Sequence, residues 1–255
     1  MKAVVIVVLA LVALAIASPA SDASWRMYKA KFSKHYDSPA EESRRFLIFK
    51  RNMRRVLELN QVDSARHSWT KFSDMERSEI LTPMQVPKNI VRTKITPRDD
   101  LPESYDWRSK GAVNEIKDQG QCGSCWAFCA TASIESANFL KNQKLMSLAE
   151  QQIVDCDTQD SGCGGGWPQR AMDYVTQAGG QELESDYPYT AETGTCAADK
   201  TKFQGHVSKS YAFESNEEAI MEAVMQHGVV SIAIDAGKFN SYSLSLIHIS
   251  QGIVR

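Results

Sequence analysis

All six cysteines of this 255-residue chain lie between residues 122 and 196. Two of them, Cys122 and Cys125, have a spacing found in redox pairs, in halves of metal sites, and where one cysteine is bonded and the other reactive. A four-ligand zinc site needs a second close pair, and Cys156 and Cys163 are too far apart to form one. A thioredoxin-like site follows a strand in a βαβ unit, whereas a glycine-containing loop precedes this pair. The pattern therefore favours one bonded and one reactive cysteine.

The segment around Cys125 is suited to a nucleophilic thiol. Gly120 and Gly123 indicate a loop, and residues 126–140 contain the many small side chains of a closely packed helix. Cys125 would then lie at the helix N-terminus, where the helix dipole favours the thiolate. Because the thiolate attacks far more readily than the thiol, we predict a nucleophile at this position.

An apolar run at the start of the chain predicts a secretory signal peptide over residues 1–17. Met1 and Lys2 precede an unbroken apolar segment from Ala3 to Ala17, which ends in small residues. A membrane anchor needs about 20 apolar residues, and this run is shorter. We therefore expect a soluble mature chain that has followed the oxidising secretory route, where cysteines can pair.

The composition is that of a globular protein, with 43% hydrophobic and 24% charged residues. A net charge of -2 argues against a dedicated nucleic-acid-binding protein. The charge is uneven, with 17 basic and 11 acidic residues from Ser18 to Asp100, and 11 basic and 20 acidic residues from Leu101 to Arg255. The two parts could be separate solvated surfaces, or they could attract each other. In the second case acid below roughly pH 5 would weaken the attraction by protonating carboxylates.

The basic front part is predicted to form two helices and an extended tail. Trp25, Tyr28 and Phe32 have the spacing of one helix face. A second helix of more than five turns follows Ser38-Pro39. One side of it carries a stripe of six residues: Glu41, Arg45, Phe49, Asn52, Val56 and Asn60. Any amphipathic helix has such a period, so the spacing alone assigns no function. Residues 82–100 contain three prolines and little periodicity, which predicts an extended connector open to cleavage.

The identities of these residues resemble the papain-like cysteine proteases. The segment Gln119–Trp126 (QGQCGSCW) matches their active-site signature, and the helical stripe resembles the motif of their I29-type inhibitory propeptides. Thr70–Asp74 (TKFSD) resembles the second propeptide motif, in a form closer to cathepsin F-like members. The resemblance covers residues 25–242. It implies an α+β, papain-like fold with a helical lobe and a β-barrel lobe, preceded by an α-helical prodomain.

The resemblance also assigns roles to individual residues. It implies that Cys125 attacks the peptide carbonyl, and that Gln119 donates its side-chain amide to the oxyanion together with the backbone N–H of Cys125. The substrate-binding wall would consist of Gly165, Gly166, Trp167, Pro168 and Ala233.

Two disulfides follow from the family pairing, Cys122–Cys163 and Cys156–Cys196, since sequence alone does not choose a connectivity. Cys129 is left over, one helical turn after Cys125. It is predicted to be a small buried side chain, with a second reactive thiol as the alternative.

Papain-like proteases also need a histidine to hold the thiolate and protonate the leaving amine, and an asparagine to orient the histidine. These residues follow the cysteine by about 130–150 positions. His248 is the only late histidine, its surroundings do not follow the family motif, and no asparagine occurs after Asn240. We therefore expect a truncated, alternatively spliced or mis-assembled chain, inactive as written, in which the barrel lobe is incomplete.

The predicted organisation is a signal peptide at 1–17, an I29-type inhibitory propeptide at 18–100, and a truncated peptidase domain at 101–255 that diverges from about residue 243. The leading function is a cysteine-type endopeptidase, made as a secreted zymogen. The alternative is a non-catalytic pseudo-enzyme or a propeptide-type inhibitor of related cysteine proteases. A disulfide-rich binding protein without protease ancestry is disfavoured by the segment Gln119–Trp126.

The expected partners are protein or peptide substrates, the chain's own propeptide and cystatin-type inhibitors. We expect no nucleic acid, no membrane after signal removal, no metal and no cofactor. The expected destination is secreted or lysosomal/vacuolar, by way of the secretory pathway.

Overall fold

The chain divides by its internal contacts into two units. The first comprises Met1–Leu81 together with Asp235–Arg255, and the second comprises Thr82–Ile234. The structure is a computed structural model that describes residues 22–62, 65–80, 86–88, 90–214, 216–234 and 241–244. The predicted signal peptide and His248 therefore lie outside the described residues. Within those residues, no helix is long and apolar enough to span a bilayer.

Both helices predicted for the front part are confirmed. They are α1 (Asp22–Lys31) and α2 (Pro39–Val62). Helix α2 begins at Pro39 because proline is tolerated in a first turn and because the Ser38 hydroxyl accepts the backbone N–H of Glu41 at 3.2 Å.

Three further elements complete the described part of the first unit: β1 (Arg66–His67), the short helix α3 (Arg77–Ile80), and a strand formed by Tyr242–Leu244, numbered β4 below. Strands β1 and β4 pair in antiparallel register.

The core of the first unit is aromatic. Its buried members are Trp25, Tyr28, Phe49, Met53 and Val56. The Tyr28 and Phe49 ring centroids are 4.7 Å apart, and those of Trp25 and Phe49 are 5.2 Å apart. The aromatic face of α1 thus packs against the apolar members of the stripe on α2.

Polar members of the same stripe bind the chain that follows α2. The side-chain amide of Asn52 donates to the backbone carbonyls of Ser73 and Met75, both at 3.0 Å. Asn60 bonds both the N–H and the carbonyl of His67, at 2.8 and 2.9 Å. These side-chain amides provide hydrogen-bond partners for backbone groups that lie outside a helix or a long strand.

Asp74 is a buried acceptor at the centre of this unit. It accepts hydrogen bonds from Tyr28 Oη at 2.6 Å, Tyr36 Oη at 2.7 Å and Lys34 Nζ at 2.9 Å. Burial acts to raise the pKa of Asp74, but the bonds from the two phenols and the ammonium outweigh it, so the pKa lies below its ordinary value.

The second unit is built around α4 (Cys125–Asn142). Around it lie β2 (Arg92–Thr93), α5 (Glu150–Cys156), α6 (Pro168–Ala178), β3 (Ala212–Phe213) and α7 (Glu217–His227), with short 3-10 helices at Trp107–Lys110, Gly162–Gly164 and Lys200–Lys202. Ala127 and Ala130 of α4 are fully buried. Their small side chains permit the close packing of α4 against α5 and α6, as predicted for this helix.

The described residues contain little of a barrel lobe. Strands β2 and β3 form one parallel pair, and no barrel closes within the described part of the chain. Residues 230–234 do not form a strand. Ser231 bonds Cys129 and Ser133 of α4 through its side chain, and Ile232 and Ile234 remain 57% and 56% exposed.

The tail after residue 82 differs from the prediction in one respect. Its described part is extended, as expected, but it is anchored rather than loosely packed. Strand β2 pairs with β3, and Arg98 binds the carboxylate of Glu222 through its backbone N–H at 2.9 Å and through Nη2 at 2.8 Å. Glu222 is 1% exposed, so this contact fixes the tail to α7.

Candidate active site

One disulfide and two hydrogen bonds hold the loop that leads into α4. Cys122 and Cys163 form a disulfide, and the N–H of Gly123 donates to the carbonyl of Cys163 at 2.9 Å. The indole N–H of Trp126 donates to the carbonyl of Gly162 at 3.1 Å. The loop before the helix and the glycine-rich segment are therefore fixed against each other.

The second disulfide joins Cys156 to Cys196. Both pairings are those that the family resemblance implies. The two free cysteines are Cys125 and Cys129.

Cys125 is exposed at the first position of α4, directly after the N-cap residue Ser124. The backbone N–H groups of a first helical turn have no partner within the helix. The Cys125 N–H therefore belongs to the set of donors that point out of the helix end, where an oxyanion can be bound.

Partial burial of the Cys125 sulfur opposes the expected shift toward thiolate. Burial raises the pKa of the Cys125 thiol, and the backbone N–H groups of Cys125 and Trp126 lower it by less. Among the described residues, no hydrogen bond joins Cys125 to a histidine. His206 bonds the carbonyl of Gly179 through Nδ1 at 3.0 Å, and His227 stacks on Phe213.

Gln119 is half-buried in the loop before the helix. Its side-chain Nε2 donates to the carbonyl of Cys122 at 2.7 Å. Because an amide nitrogen carries two hydrogens, this bond fixes the orientation of the side chain and leaves the second N–H for another acceptor. Gly120 follows with φ +61°, a left-handed conformation that favours glycine and turns the chain toward Cys122.

Tyr189 is a residue that the sequence analysis missed. Its phenol donates to the backbone carbonyl of Gln119 at 2.8 Å, and its Oη lies 2.5 Å from the hydroxyl of Ser124. Since the phenol hydrogen is used on Gln119, the Ser124 hydroxyl donates to Tyr189. The ring also packs edge-on against Phe128, at 4.8 Å. One side chain thus joins the Gln119 loop to the start of α4.

Lys117 anchors the same loop to α4 and α5, and the sequence patterns did not predict this contact. Its ammonium lies 2.7 Å from Glu150, 3.3 Å from Glu135 and 3.2 Å from the carbonyl of Leu148. Burial acts to lower the pKa of Lys117, but the two carboxylates outweigh it and raise the pKa. Both carboxyl groups are buried, and even beside this lysine burial raises the pKa of Glu150 to about 7. Loss of the lysine would therefore favour the protonated form of both groups.

The two glycines of the predicted substrate-binding wall, Gly165 and Gly166, are also needed for packing. Gly165 adopts φ +104°, which disfavours other residues. A Cβ atom on Gly166 would lie 2.5 Å from the ring of Trp126. These glycines therefore allow the segment to approach α4, in addition to any contact with a substrate.

Three of the five predicted substrate-binding residues line one cavity of about 980 Å³. These are Trp167, Pro168 and Ala233, and the lining also includes Met172 of α6 and Ile90 of the tail. Gly165 and Gly166 are not part of this lining. The role of the five residues in substrate binding stays a prediction.

Cys129 lies one turn after Cys125 and is half-buried. Its Sγ donates to the carbonyl of Trp126 at 3.5 Å. Burial raises the pKa of the Cys129 thiol to about 11, so it is protonated at neutral pH.

Two family models match the chain. One, described as papain family cysteine protease, matches residues 101–252. The other, described as cathepsin propeptide inhibitor domain (I29), matches residues 25–80.

The chain is similar to named proteases of several organisms. It is 39% identical over 240 residues to the probable cysteine protease RD19B of Arabidopsis thaliana, covering 87% of this chain and 66% of that protein. It is 37% identical over 243 residues to digestive cysteine proteinase 3 of Homarus americanus, covering 89% and 74%. The chain thus spans slightly less than two thirds of the Arabidopsis relative.

Solved precursor structures are similar as well. The digestive procathepsin L2 of the Tenebrio molitor larval midgut has a TM-score of 0.74 at 33% identity, covering 86% of this chain and 77% of that one. A recombinant stem bromelain precursor has a TM-score of 0.73 at 31% identity, covering 87% and 75%.

Proposed function

The chain belongs to the papain family of cysteine proteases, and from this we propose that it is the zymogen of a cysteine-type endopeptidase. The papain-like α+β fold with an α-helical prodomain is confirmed by the family models and the precursor structures. The observation that carries the proposal is the free, exposed Cys125 thiol at the start of α4, beside a loop in which Gln119 is held by two hydrogen bonds.

In the proposed reaction Cys125 Sγ bonds to the carbonyl carbon of a peptide, and the carbonyl oxygen becomes an oxyanion. The Cys125 backbone N–H and the free N–H of the Gln119 side chain stabilise this charge. The tetrahedral intermediate then collapses, so that the amine leaves with a proton and a thioester remains. Water then hydrolyses the thioester. The raised pKa of Cys125 means that a base must accept the thiol proton before or during the attack.

The two family matches, at residues 25–80 and 101–252, support a zymogen. We place the inhibitory propeptide at residues 18–100 and the peptidase domain at residues 101–255. In this proposal the substrates are proteins or peptides, and the chain's own propeptide restrains activity until it is cleaved within residues 82–100. The apolar run at residues 3–17 and the two disulfides support a secretory route to a secreted, lysosomal or vacuolar destination.

A second candidate is a non-catalytic protein of the same family, either a pseudo-enzyme or an inhibitor of related proteases. One observation favours it: within the described part of the chain no histidine hydrogen-bonds the Cys125 thiol, whose pKa is raised by burial.

Peptide hydrolysis by the full chain after cleavage of residues 82–100, combined with thiol labelling, separates the two candidates. Turnover by this chain would overturn the prediction that it is inactive as written and would establish the enzyme; Cys125→Ala should then abolish the turnover and Gln119→Ala should lower it by about 10²–10³-fold. Gln143→Ala, at the exposed C-terminal cap of α4, is the matched control and should leave turnover unchanged. Labelling of Cys125 without turnover would establish the non-catalytic candidate instead.

A further inference from the structure

Cys125 and Cys129 make up a pair of free thiols on one face of α4. Residues four apart in a helix have Cβ atoms about 5–6 Å apart. The two side chains therefore lie on the same side of the first turns of α4, one above the other. Cys125 is exposed and Cys129 is half-buried.

The spacing does not suit a disulfide between these residues. A disulfide needs Cβ atoms about 3.5–4.5 Å apart, which is less than the helical spacing provides. The backbone at Cys129 has little freedom to close the difference, because its carbonyl accepts hydrogen bonds from Ser231 Oγ at 2.7 Å and from Ser133 Oγ at 3.2 Å. The pair therefore stays as two separate thiols.

A single atom bonded to both sulfurs fits the gap better. Two bonds of about 2.3 Å, the length of a zinc–thiolate bond, that meet at a pyramidal angle of about 100° hold two sulfurs about 3.5 Å apart, whereas a disulfide holds them about 2 Å apart. The described residues contain no group of three or more His, Cys, Asp or Glu that could complete a metal coordination sphere. The matching ligand is one that needs only two sulfurs from the protein.

We propose that Cys125 and Cys129 form a dithiol site that captures monosubstituted trivalent arsenicals. An arsenoxide R–As=O forms one As–S bond to each residue, while its oxygen leaves as water with the two thiol protons. Arsenic stays trivalent and neither sulfur is oxidised, so no other reactant is consumed. Capture blocks the Cys125 thiol and does not require the proposed proteolytic activity.

Phenylarsine oxide added to the full chain tests the site. Intact-mass analysis should show one phenylarsenic group per chain with the loss of two thiol hydrogens, and Cys125 should no longer react with iodoacetamide. A dithiol such as 2,3-dimercaptopropanol should release the adduct, whereas a monothiol should not. In Cys129→Ser the adduct should become sensitive to monothiol, with apparent affinity lowered about 100-fold or more, the gain that a linked second bond typically provides.

Cys129→Ala should behave like Cys129→Ser, and circular dichroism verifies that both variants are folded. Retention of monothiol resistance in either folded variant overturns the proposal, as does a parent adduct that monothiol removes. Arsenical capture without peptide hydrolysis would leave this site established while contradicting the proposed enzyme. Peptide hydrolysis without capture by two sulfurs would contradict the arsenical site while supporting the proposed enzyme.

Discussion

The phenol of Tyr189 donates to the backbone carbonyl of Gln119 at 2.8 Å. Seventy residues separate the two in sequence. The same phenol oxygen lies 2.5 Å from Ser124, the residue before Cys125. The Gln119 loop and the first turn of α4 thus share one hydrogen-bonding side chain, which positions both without being placed to touch the reacting atoms.

Tyr189→Phe should therefore destabilise the start of α4. The variant leaves the fully buried Ser124 hydroxyl without its partner, and a buried polar group that loses its partner typically costs about 1–3 kcal/mol. Faster hydrogen exchange of the first amides of α4 measures this loss. Tyr211→Phe, at an exposed tyrosine, serves as the control. Equal exchange in both variants would contradict the positioning role.

Lys117→Met should destabilise the second unit more strongly. It leaves Glu135 and Glu150, both buried, without their cation, and breaking a buried pair in this way typically costs about 3–5 kcal/mol. The free energy of global exchange of the α4 amides reports the change. Lys144→Met changes an exposed lysine and should have an effect near zero. A loss below about 1 kcal/mol for Lys117→Met, the usual worth of a surface pair, would show that the carboxylates do not depend on it.

Asp74 makes the first unit sensitive to acid. Its folded-state pKa lies below the unfolded value, so its stabilising effect is present above about pH 4 and is lost as the pH falls through the folded pKa. Asp74→Asn should cost about 1.5–3 kcal/mol at pH 7, as expected for bonds to a charged group. The difference from the parent should shrink below about pH 4.

Exchange of the α2 amides between pH 7 and pH 3 measures this dependence. Asp37→Asn alters an exposed carboxylate and should show no such convergence with the parent. A difference between Asp74→Asn and the parent that is constant with pH would refute the role of the charge.

The Arg98–Glu222 contact should survive the same acid. The guanidinium and backbone N–H of Arg98 lower the pKa of Glu222 to about 2. Glu222 therefore stabilises the contact from neutral pH downward, and this effect is lost only as the pH approaches 2. Slow exchange of the Arg98 amide should persist at pH 4. Glu222→Gln should accelerate it at every pH, whereas Glu218→Gln, exposed on the same helix, should not. Loss of protection in the parent at pH 4 would exclude the contact as an acid-resistant anchor.

Local sequence signals predicted three of the helices, α1, α2 and α4. Ser38-Pro39 located the start of α2, and the small residues after Cys125 predicted a closely packed α4, because capping and side-chain size act over a few residues. Tyr189 and Lys117 could not be found in this way, since their partners lie 70 and up to 33 residues away and neither belongs to a periodic pattern.

The extent to which the surrounding protein buries Cys125 could not be predicted from the sequence. The sequence places Cys125 at a helix N-terminus, which favours the thiolate, but it does not show how much burial opposes this effect. The anchoring of the tail was missed for a related reason. The three prolines indicated an extended chain, yet the acceptor for Arg98 is a carboxylate 124 residues further along.

Cys122 is oxidised in its disulfide with Cys163, whereas Cys125, three residues later, is a reduced thiol. The loop needs the first pair oxidised, and nucleophilic attack needs the second sulfur reduced. A medium that is too reducing would break the disulfide that holds the loop, and one that is too oxidising would block the proposed nucleophile Cys125. The proposed activity is therefore confined to a bounded interval of ambient thiol–disulfide potential.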